Sequence, residues 1–352
     1  MHHFRYEGDE LYCESVPLRK IARDVATPCY VYSCATLRQH FTVFDNAFDG
    51  MQHLTCYSVK ANGNLSILGL FAGLGGGADI VSGGELFKAR QAGIPADRIV
   101  YSGVGKTQAE IDYALREDIL MFNIESAQEL EAINQRAGAM KTRARIALRV
   151  NPDVDPKTHP YISTGLKKNK FGIDIEQALK SYERAKQLEH IDVVGIDCHI
   201  GSQLTEIPPF IEALERLKLL IGRLHAIGIR IQCLDLGGGL GISYHQESPP
   251  HPREYAQAIV ERLKDLPDVA TTGQQGLAAV NTQFWIGFSG PPGLPEHVMK
   301  SWAEGVSEVL KSPDVIAKLA RITSAATFLG PEEFKRFISE ESRMVKELMG
   351  ER

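Results

Sequence analysis

Three features of this sequence could together bind a cofactor. Lys60 follows one apolar run, His199 lies at the end of a second, and the triplet Gly237, Gly238 and Gly239 follows a third. Glycines have no Cβ, so their backbone amides can approach an anion closely, and phosphate is the usual anion. A lysine amine together with a phosphate site suggests pyridoxal 5'-phosphate, bound to the lysine as a Schiff base. A neutral His199 ring can stack on the pyridine ring of that cofactor.

Four further polar residues lie at the ends of similar runs, or just after them. They are Asp79, Glu85, Arg149 and Ser202. Alone, each has a simpler interpretation: Asp79 could cap a helix, Arg149 could form an ordinary ion pair, and a lone lysine or histidine is more often solvated or structural. Their coincidence at several strand ends favours a site, because active-site groups collect at the carboxyl ends of parallel strands.

Seven short apolar runs, rich in β-branched residues, alternate with amphipathic stretches and predict buried parallel strands. They are residues 54–59, 78–82, 98–103, 119–124, 145–150, 193–200 and 231–236. Seven strand-helix units favour an α/β fold, a (β/α) barrel that is incomplete or has a substituted eighth strand. An open doubly wound sheet is the alternative, and chain length does not separate the two.

Several local signals predict helices and the strands before the barrel. The sequences from Thr107 to Glu110 and from Ser126 to Glu129 have the spacing of capping boxes, and residues 208–228 have apolar side chains at helical spacing. Two further helices are predicted at about 295–311 and 331–349. Near the N-terminus, ELYCES and PCYVYS have the composition of strands.

Composition excludes several classes of protein. The 39 basic and 44 acidic residues give a net charge of −5, which disfavours a nucleic-acid partner. No apolar run reaches the roughly 18 residues of a membrane span, and the N-terminus lacks the apolar core of a secretory signal. We therefore expect a cytoplasmic protein that acts on a small molecule. The six cysteines are scattered, which predicts free thiols, and no clustered ligands suggest a metal site.

Residues 1 to about 265 resemble the diaminopimelate decarboxylase family, which has the alanine-racemase-like fold and makes lysine. The segments that carry the resemblance are TPCYVYS, CYSVKANGN, GGGADIVSGGEL, RIVYSGVGKT, RVNPDVDPKTHPYISTGLKKNKFGI, DCHIGSQ and LDLGGGLGI. The resemblance implies pyridoxal 5'-phosphate as cofactor, meso-diaminopimelate as substrate, lysine and CO2 as products, and a homodimer.

The resemblance also assigns roles to the candidate residues. Lys60 would be the catalytic, Schiff-base lysine, and Asp79 and Glu85 would support the lysine side of the cofactor. Arg149 would lie on the side of the ring hydroxyl and His199 on the ring face. The phosphate would be held by Ser202, Gly237, Gly238 and Gly239. The loop around residues 167–170 would border the substrate.

After residue 265 the resemblance stops. The family's Glu-Pro-Gly-Arg motif and the Cys-Glu-Ser-Gly-Asp motif of its β-sandwich domain do not occur there, and neither does any cysteine. We therefore expect a pyridoxal-dependent decarboxylase with impaired activity. The alternative is a barrel that binds the cofactor with little or no decarboxylation.

The end of the chain resembles another family. Residues from about 277 to 352, including FWIGFSGPPGLPEHVMKSWAEGVSEVLKSPDVIAKL, are similar to the C-terminal part of a tripartite tricarboxylate transporter substrate-binding protein. A carboxylate-binding component is therefore a third possible function. The predicted organisation has four parts. These are an N-terminal segment at 1–33, a cofactor-binding barrel at 34–265, a junction at 266–276 and a helical tail at 277–352.

Overall fold

The structure is a computed structural model of the 352-residue chain. It describes residues 2–155, 171–244, 246–264, 296–315, 328–331, 333–337 and 339. The chain divides into two compact units, Met1–Val269 and Ala270–Arg352. No helix in the part of the chain that the structure describes is both long enough and apolar enough to cross a bilayer.

The first unit begins with a small antiparallel sheet. Its strands are β1 (Phe4–Glu7), β2 (Glu10–Cys13) and β3 (Val16–Pro17), in that order. The prediction of a strand in ELYCES is therefore confirmed.

The predicted strand in PCYVYS is wrong, since residues 28–33 are irregular. Tyr30 is 91% exposed and Tyr32 is 51% exposed. A strand needs a neighbour for its backbone hydrogen bonds, and the sheets of the described residues do not include this segment. Ser33 instead caps the next helix by accepting a hydrogen bond from the backbone N–H of Thr36.

All seven predicted barrel strands are present as one parallel sheet. They are β4 (Cys56–Ser58), β5 (Gly77–Ile80), β6 (Ile99–Tyr101), β7 (Met121–Ile124), β8 (Ala144–Asn151), β10 (Ile191–Asp197) and β11 (Cys233–Asp235). The short strand β9 (Ile173–Asp174) pairs with the end of β8.

Nine α-helices in the described part of the first unit precede, connect and follow these strands. They are α1 (Leu18–Val25), α2 (Cys34–Asp45), α3 (Leu65–Gly73), α4 (Gly83–Gln91), α5 (Gln108–Glu117), α6 (Ala127–Ala139), α7 (Ile175–Lys186), α8 (Pro208–Ala226) and α9 (Pro252–Leu263). Buried side chains such as Leu86, Ile111 and Leu217 pack these helices into the main core. Burial of each such side chain contributes roughly 1.5–3 kcal/mol.

The strand order distinguishes the two predicted architectures. The strands lie in the order β4, β5, β6, β7, β8, β10 and β11, so each pairs with the next strand of the series. A doubly wound sheet would reverse its order at a switch point, and this sheet does not. The seven strands of the described residues therefore form the sheet of a (β/α) barrel, as predicted. A substitute eighth strand at residues 284–293 lies outside the described residues.

The sheet is rolled rather than flat. Asn123 on β7 donates a hydrogen bond to Asp235 on β11 at 3.0 Å, although two strands lie between them. Neighbouring strands are about 4.8 Å apart, so a flat sheet would separate these residues by about 14 Å. Cys56 and Cys233, on the two edge strands, also pack against one interior cluster of Val100, Met121 and Ala147.

The two predicted capping boxes differ. At Thr107 the box is complete, because the Glu110 carboxylate accepts a hydrogen bond from the Thr107 backbone N–H. At Ser126 only half of it forms: the serine accepts from the Glu129 N–H, while the Glu129 carboxylate accepts from Glu125 N–H and from Lys106. Glu129 pairs with Lys106 instead of with the Ser126 backbone, because a buried ammonium needs a counter-charge.

The second unit contains α10 (Glu296–Leu310), which matches the helix predicted at about 295–311. Helical residues also occur at 331, 333–337 and 339, within the predicted 331–349 helix. The junction at 266–276 and the apolar run at 283–295 lie outside the described residues. The transporter resemblance of this unit stays a prediction.

Candidate cofactor-binding site

The candidate residues lie at one rim of the barrel, where the parallel strands end. Lys60 belongs to a 3₁₀ turn, Val59–Ala61, that follows β4 directly, and its side chain is exposed. His199 follows β10 by two residues, and Gly237 follows β11 by two residues. Because all these strands are parallel, the three positions share an end of the sheet.

Electrostatics and hydrogen bonding link Lys60, His199 and the glycine triplet. The backbone N–H of Gly238 donates to Nδ1 of His199 at 3.4 Å. Desolvation, together with the nearby positive charges of Arg149 and Lys60, lowers the pKa of His199 to about 4. The imidazole is therefore neutral at physiological pH. The structure thus brings together the lysine, the neutral ring and the glycine turn.

The glycine turn has a backbone that only glycine adopts easily. Gly237 has φ +64° and Gly239 has φ +102°. A Cβ at Gly237 would lie 2.7 Å from the carbonyl oxygen of Cys198, and one at Gly239 would overlap the carbonyl oxygen of Gly201. At Gly238, by contrast, a Cβ would have no neighbour within 4 Å. The turn is therefore packed against the segment that follows β10 on one side and open at its middle residue.

A layer of polar side chains lines the barrel interior below the rim. Ser58 Oγ donates to Asp79 Oδ2 at 2.9 Å, and Asn123 Nδ2 donates to Ser102 Oγ at 3.1 Å and to Asp235. The other carboxylate oxygen of Asp79, Oδ1, is buried and has no hydrogen-bond partner. A buried acceptor of this kind is costly unless a donor reaches it, so Asp79 is suited to receive a group bound at the rim.

Arg149 is fixed by a buried ion pair. Its Nη1 donates to Glu125 Oε1 at 2.7 Å, and the two side chains are only 12% and 3% exposed. The second oxygen of Glu125 accepts from the Gly172 N–H at 3.0 Å, and the guanidinium lies over the Phe171 ring at 5.3 Å. Arg149 therefore presents a fixed positive charge beside His199.

Two neighbouring carboxyl groups share the interior with Arg149. Asp197 pairs in register with Arg149 on one side and with Asp235 on the other. Burial raises the pKa of Asp197 well above its usual range, and the negative charge of Asp235 raises it further. Burial also raises the pKa of Asp235, but hydrogen bonds from Gly237 and Asn123 oppose that increase. Burial therefore favours the protonated form of both carboxyl groups.

The remaining two candidates lie at the same rim. Glu85, in the first turn of α4, accepts a hydrogen bond from the Val81 N–H at 2.8 Å and so braces the turn after β5. Ser202 is exposed and follows Gly201, the residue against which Gly239 packs. The predicted substrate loop at 167–170 lies outside the described residues.

These residues fit pyridoxal 5'-phosphate. The group requires an amine for its aldehyde, a flat neighbour for its ring and backbone donors for its phosphate. Lys60, neutral His199 and the open middle of the glycine turn meet those needs, and the unpartnered Asp79 Oδ1 supplies an acceptor. In the part of the chain with described coordinates, no three His, Cys, Asp or Glu side chains are arranged to hold a metal ion.

Sequence reasoning missed three buried members of the site: Asn123, Glu125 and Asp197. A usable signal exists for two of them. Asn123 lies inside an otherwise apolar strand and Asp197 ends β10, and both side chains face the barrel interior. Glu125 follows its strand directly and resembles an ordinary loop carboxylate in the sequence.

Comparison with known proteins agrees with this geometry. Residues 34–275 match the family described as pyridoxal-dependent decarboxylase, pyridoxal binding domain. The chain is 49% identical over 278 residues to a diaminopimelate decarboxylase of Haemophilus influenzae, covering 79% of this chain and 67% of the relative. A Vibrio cholerae protein of the same name is 51% identical over 279 residues, with the same coverage.

Solved structures give the same result. The crystal structure of diaminopimelate decarboxylase from Helicobacter pylori complexed with L-lysine has a TM-score of 0.69 and 44% identity, covering 71% of this chain and 63% of that one. The M. jannaschii enzyme in co-complex with L-lysine has a TM-score of 0.70 and 40% identity, covering 75% and 63%. This chain thus spans about two thirds of the length of these relatives. It belongs to the pyridoxal-dependent decarboxylase family, and residues 34–275 are its pyridoxal-binding domain.

Proposed function

We propose that this chain is a pyridoxal-phosphate-dependent carboxy-lyase that converts meso-diaminopimelate to lysine and CO2. The observation that carries the proposal is the rim arrangement of Lys60, neutral His199 and the Gly237–Gly239 turn. Relatives about half identical over 79% of the chain are diaminopimelate decarboxylases, which favours this substrate. We further propose that the protein acts in the cytoplasm, as a homodimer.

Each residue at the rim has a separate role in the proposed reaction. When bound, pyridoxal phosphate withdraws the electron pair that remains on the substrate carbon after CO2 leaves. Lys60 supplies the amine that bonds to the cofactor. His199, uncharged and held by the Gly238 N–H, packs on the face of the ring without placing a second positive charge there. The backbone amides of the glycine turn bind the phosphate.

Arg149 and Asp79 supply a positive charge and a hydrogen-bond acceptor to the proposed site. Arg149 is held by Glu125, so its positive charge keeps one position beside the ring. Asp79 offers its unpartnered Oδ1 to a donor on the lysine side of the cofactor. Both positions are set by the sheet itself, which is why the site does not depend on long loops for these two groups.

We also propose that decarboxylation by this chain is slow. In the family that the chain resembles, the glutamate of a Glu-Pro-Gly-Arg motif pairs with the pyridine nitrogen and a cysteine acts as general acid. Neither the motif nor a cysteine occurs after residue 265. Loss of one charge partner commonly reduces the rate by about 10²–10³-fold, and loss of a general acid by about 10²–10⁴-fold. The second candidate is therefore a barrel that holds the cofactor with little or no turnover.

The experiment combines cofactor binding with turnover. The purified chain is mixed with pyridoxal phosphate, reduced with borohydride and digested, and the modified lysine is located by mass spectrometry. CO2 release is measured on a separate, untreated sample with meso-diaminopimelate and with lysine. Modification at Lys60 with turnover of meso-diaminopimelate supports the decarboxylase, and modification without turnover supports the second candidate. Failure to bind the cofactor contradicts both.

Matched variants make the result specific to Lys60. Lys60→Ala is expected to abolish borohydride-stable attachment. Lys88→Ala removes an exposed lysine of α4, outside the proposed site, and is expected to leave attachment unchanged. Equal labelling of both variants contradicts the assignment of Lys60.

A further inference from the structure

Asp235 lies at the end of β11, two residues before the glycine turn, and no role in the proposed chemistry has been given to it. Both of its carboxylate oxygens are used. Oδ1 accepts from the backbone N–H of Gly237 at 2.8 Å, and Oδ2 accepts from Asn123 Nδ2 at 3.0 Å. The first contact fixes the start of the turn, and the second crosses the barrel interior to β7.

We propose that Asp235 is a positioning residue for the cofactor phosphate, acting by holding the Gly237–Gly239 turn in its binding conformation. The inference rests on the proposed function, because it assumes that the turn binds the phosphate of pyridoxal phosphate. Asp235 itself does not touch the cofactor. It acts through the Gly237 N–H.

The conformation of the turn explains why a fixed acceptor for the Gly237 N–H stabilises it. Gly237 has φ +64°, and glycine reaches such values easily but also leaves them easily. A hydrogen bond from its N–H to a fixed carboxylate selects one of the available conformations. The bond is charge-assisted when the carboxylate is ionised, which makes it stronger than a bond to a neutral acceptor.

The second contact makes Asp235 a rigid support. Asn123 is 1% exposed and is itself held by Ser102 Oγ at 3.1 Å. Its amide therefore donates from a fixed position to Oδ2 of Asp235. The turn is thereby tied to the middle of the sheet, as well as to its own edge strand.

The hydrogen bonds that hold the turn also connect Asp235 to the ring of His199. The residue after Gly237, Gly238, donates its N–H to His199 Nδ1. A change in the Gly237 conformation would move that donor. The connected set from Asn123 through Asp235 and the turn to His199 therefore aligns the phosphate-binding amides with the residue that packs on the cofactor ring.

A merely structural role for Asp235 predicts a different outcome from a phosphate-positioning role. A loosened fold would weaken every ligand of the site. A misplaced turn would weaken ligands that carry the phosphate and would spare pyridoxal, which bonds to the same lysine but has no phosphate. The comparison of these two ligands separates the two roles.

The test measures dissociation constants of pyridoxal phosphate and pyridoxal for wild type, Asp235→Ala and Asp235→Asn, together with thermal unfolding. We expect Asp235→Ala to weaken pyridoxal phosphate about 10- to 100-fold, the loss of a charged hydrogen bond, and pyridoxal less than about threefold. Asp235→Asn keeps an oxygen that can accept from the Gly237 N–H, but its NH2 group then faces the NH2 group of Asn123. We therefore expect a smaller loss of pyridoxal phosphate affinity than in Asp235→Ala.

Two controls complete the design. Cys233→Ala changes the same face of the same strand, in the layer below and away from the turn, and should alter neither constant. The double variant Asn123→Asp with Asp235→Asn restores a donor-acceptor pair and should recover phosphate affinity, which keeps the test usable if Asp235→Ala does not fold. Equal weakening of both ligands, or no weakening of either, overturns the proposal. If wild type itself does not bind pyridoxal phosphate, the proposed function fails instead.

Discussion

The N–H of Gly238 points at Nδ1 of His199, so the middle of the glycine turn and the only ring at the rim among the candidate residues are joined by a hydrogen bond of 3.4 Å. The contact needs His199 to be neutral, because a protonated Nδ1 could not accept. Burial and the charges of Arg149 and Lys60 meet that need by lowering the pKa of His199 to about 4.

The low pKa of His199 predicts a dependence of stability on pH. The unfolded chain takes up a proton on this histidine below about pH 6.5, whereas the folded chain does so only near pH 4. Stability from this group is therefore lost as the pH falls from about 6.5 to 4. His199→Gln removes the effect, so acidification from pH 7 to pH 4 should favour the variant over wild type by up to about 3 kcal/mol. Urea unfolding at both pH values measures this, and a pH-independent difference contradicts it.

The glycine turn predicts opposite results at adjacent positions. Gly239→Ala places a Cβ against the Gly201 carbonyl at φ +102°, so the variant should lose at least about 2 kcal/mol of stability. Gly238→Ala meets nothing within 4 Å and should lose less than about 1 kcal/mol. Denaturant titration compares the two. Similar losses would mean that the turn does not have the packing described above.

The buried ion pair of Glu125 and Arg149 predicts a large loss when it is broken. Glu125→Ala removes the acceptor of Arg149 Nη1 and of the Gly172 N–H and leaves the guanidinium only the more distant Asp197 carboxyl at 3.9 Å, so stability should fall by about 3–5 kcal/mol. The control is Glu131→Ala, whose partner Arg184 lies with it at the surface, both side chains about half exposed. Its loss should be below about 1 kcal/mol. Equal losses would show that burial does not set the value of these pairs.

Strand positions were predictable because the apolar runs are short, regularly spaced and bounded by turn residues. The rim residues were predictable for the same reason: Lys60, His199 and Gly237 each follow a recognisable run. Two predictions from local sequence failed where tertiary context decided. The PCYVYS run has the composition of a strand but no neighbouring strand, and Glu129 has the spacing of a capping box but is drawn to Lys106.

The polar layer below the rim could be predicted only in part. Asn123 interrupts an apolar strand and Asp197 ends β10, which marks them as unusual, but their partners come from distant parts of the chain. Asn123 and Asp235 are 112 positions apart and meet only because the sheet rolls. No local pattern encodes such a pairing, so the support of the turn by Asp235 depends on the three-dimensional fold.

Lys106 gives the last prediction, since its side chain is fully buried and donates to the carbonyls of Gly103 and Asn123 as well as to Glu129 at 2.6 Å. Burial raises the pKa of Glu129, and the positive charge of Lys106 opposes that increase. In Lys106→Met the pKa of Glu129 should rise further. Folding then favours protonated Glu129, so stability from this group is present at low pH and lost as the pH rises through its folded pKa.

The loss of stability caused by Lys106→Met should therefore be larger at pH 8 than at pH 5, reaching about 3 kcal/mol or more at the higher pH. Unfolding by urea at the two pH values measures the difference from wild type. Lys88→Met, at an exposed position of α4, is the control and should have little effect at either pH. An equal loss at pH 5 and pH 8 for Lys106→Met would mean that the lysine stabilises the barrel through its carbonyl hydrogen bonds alone, without neutralising Glu129.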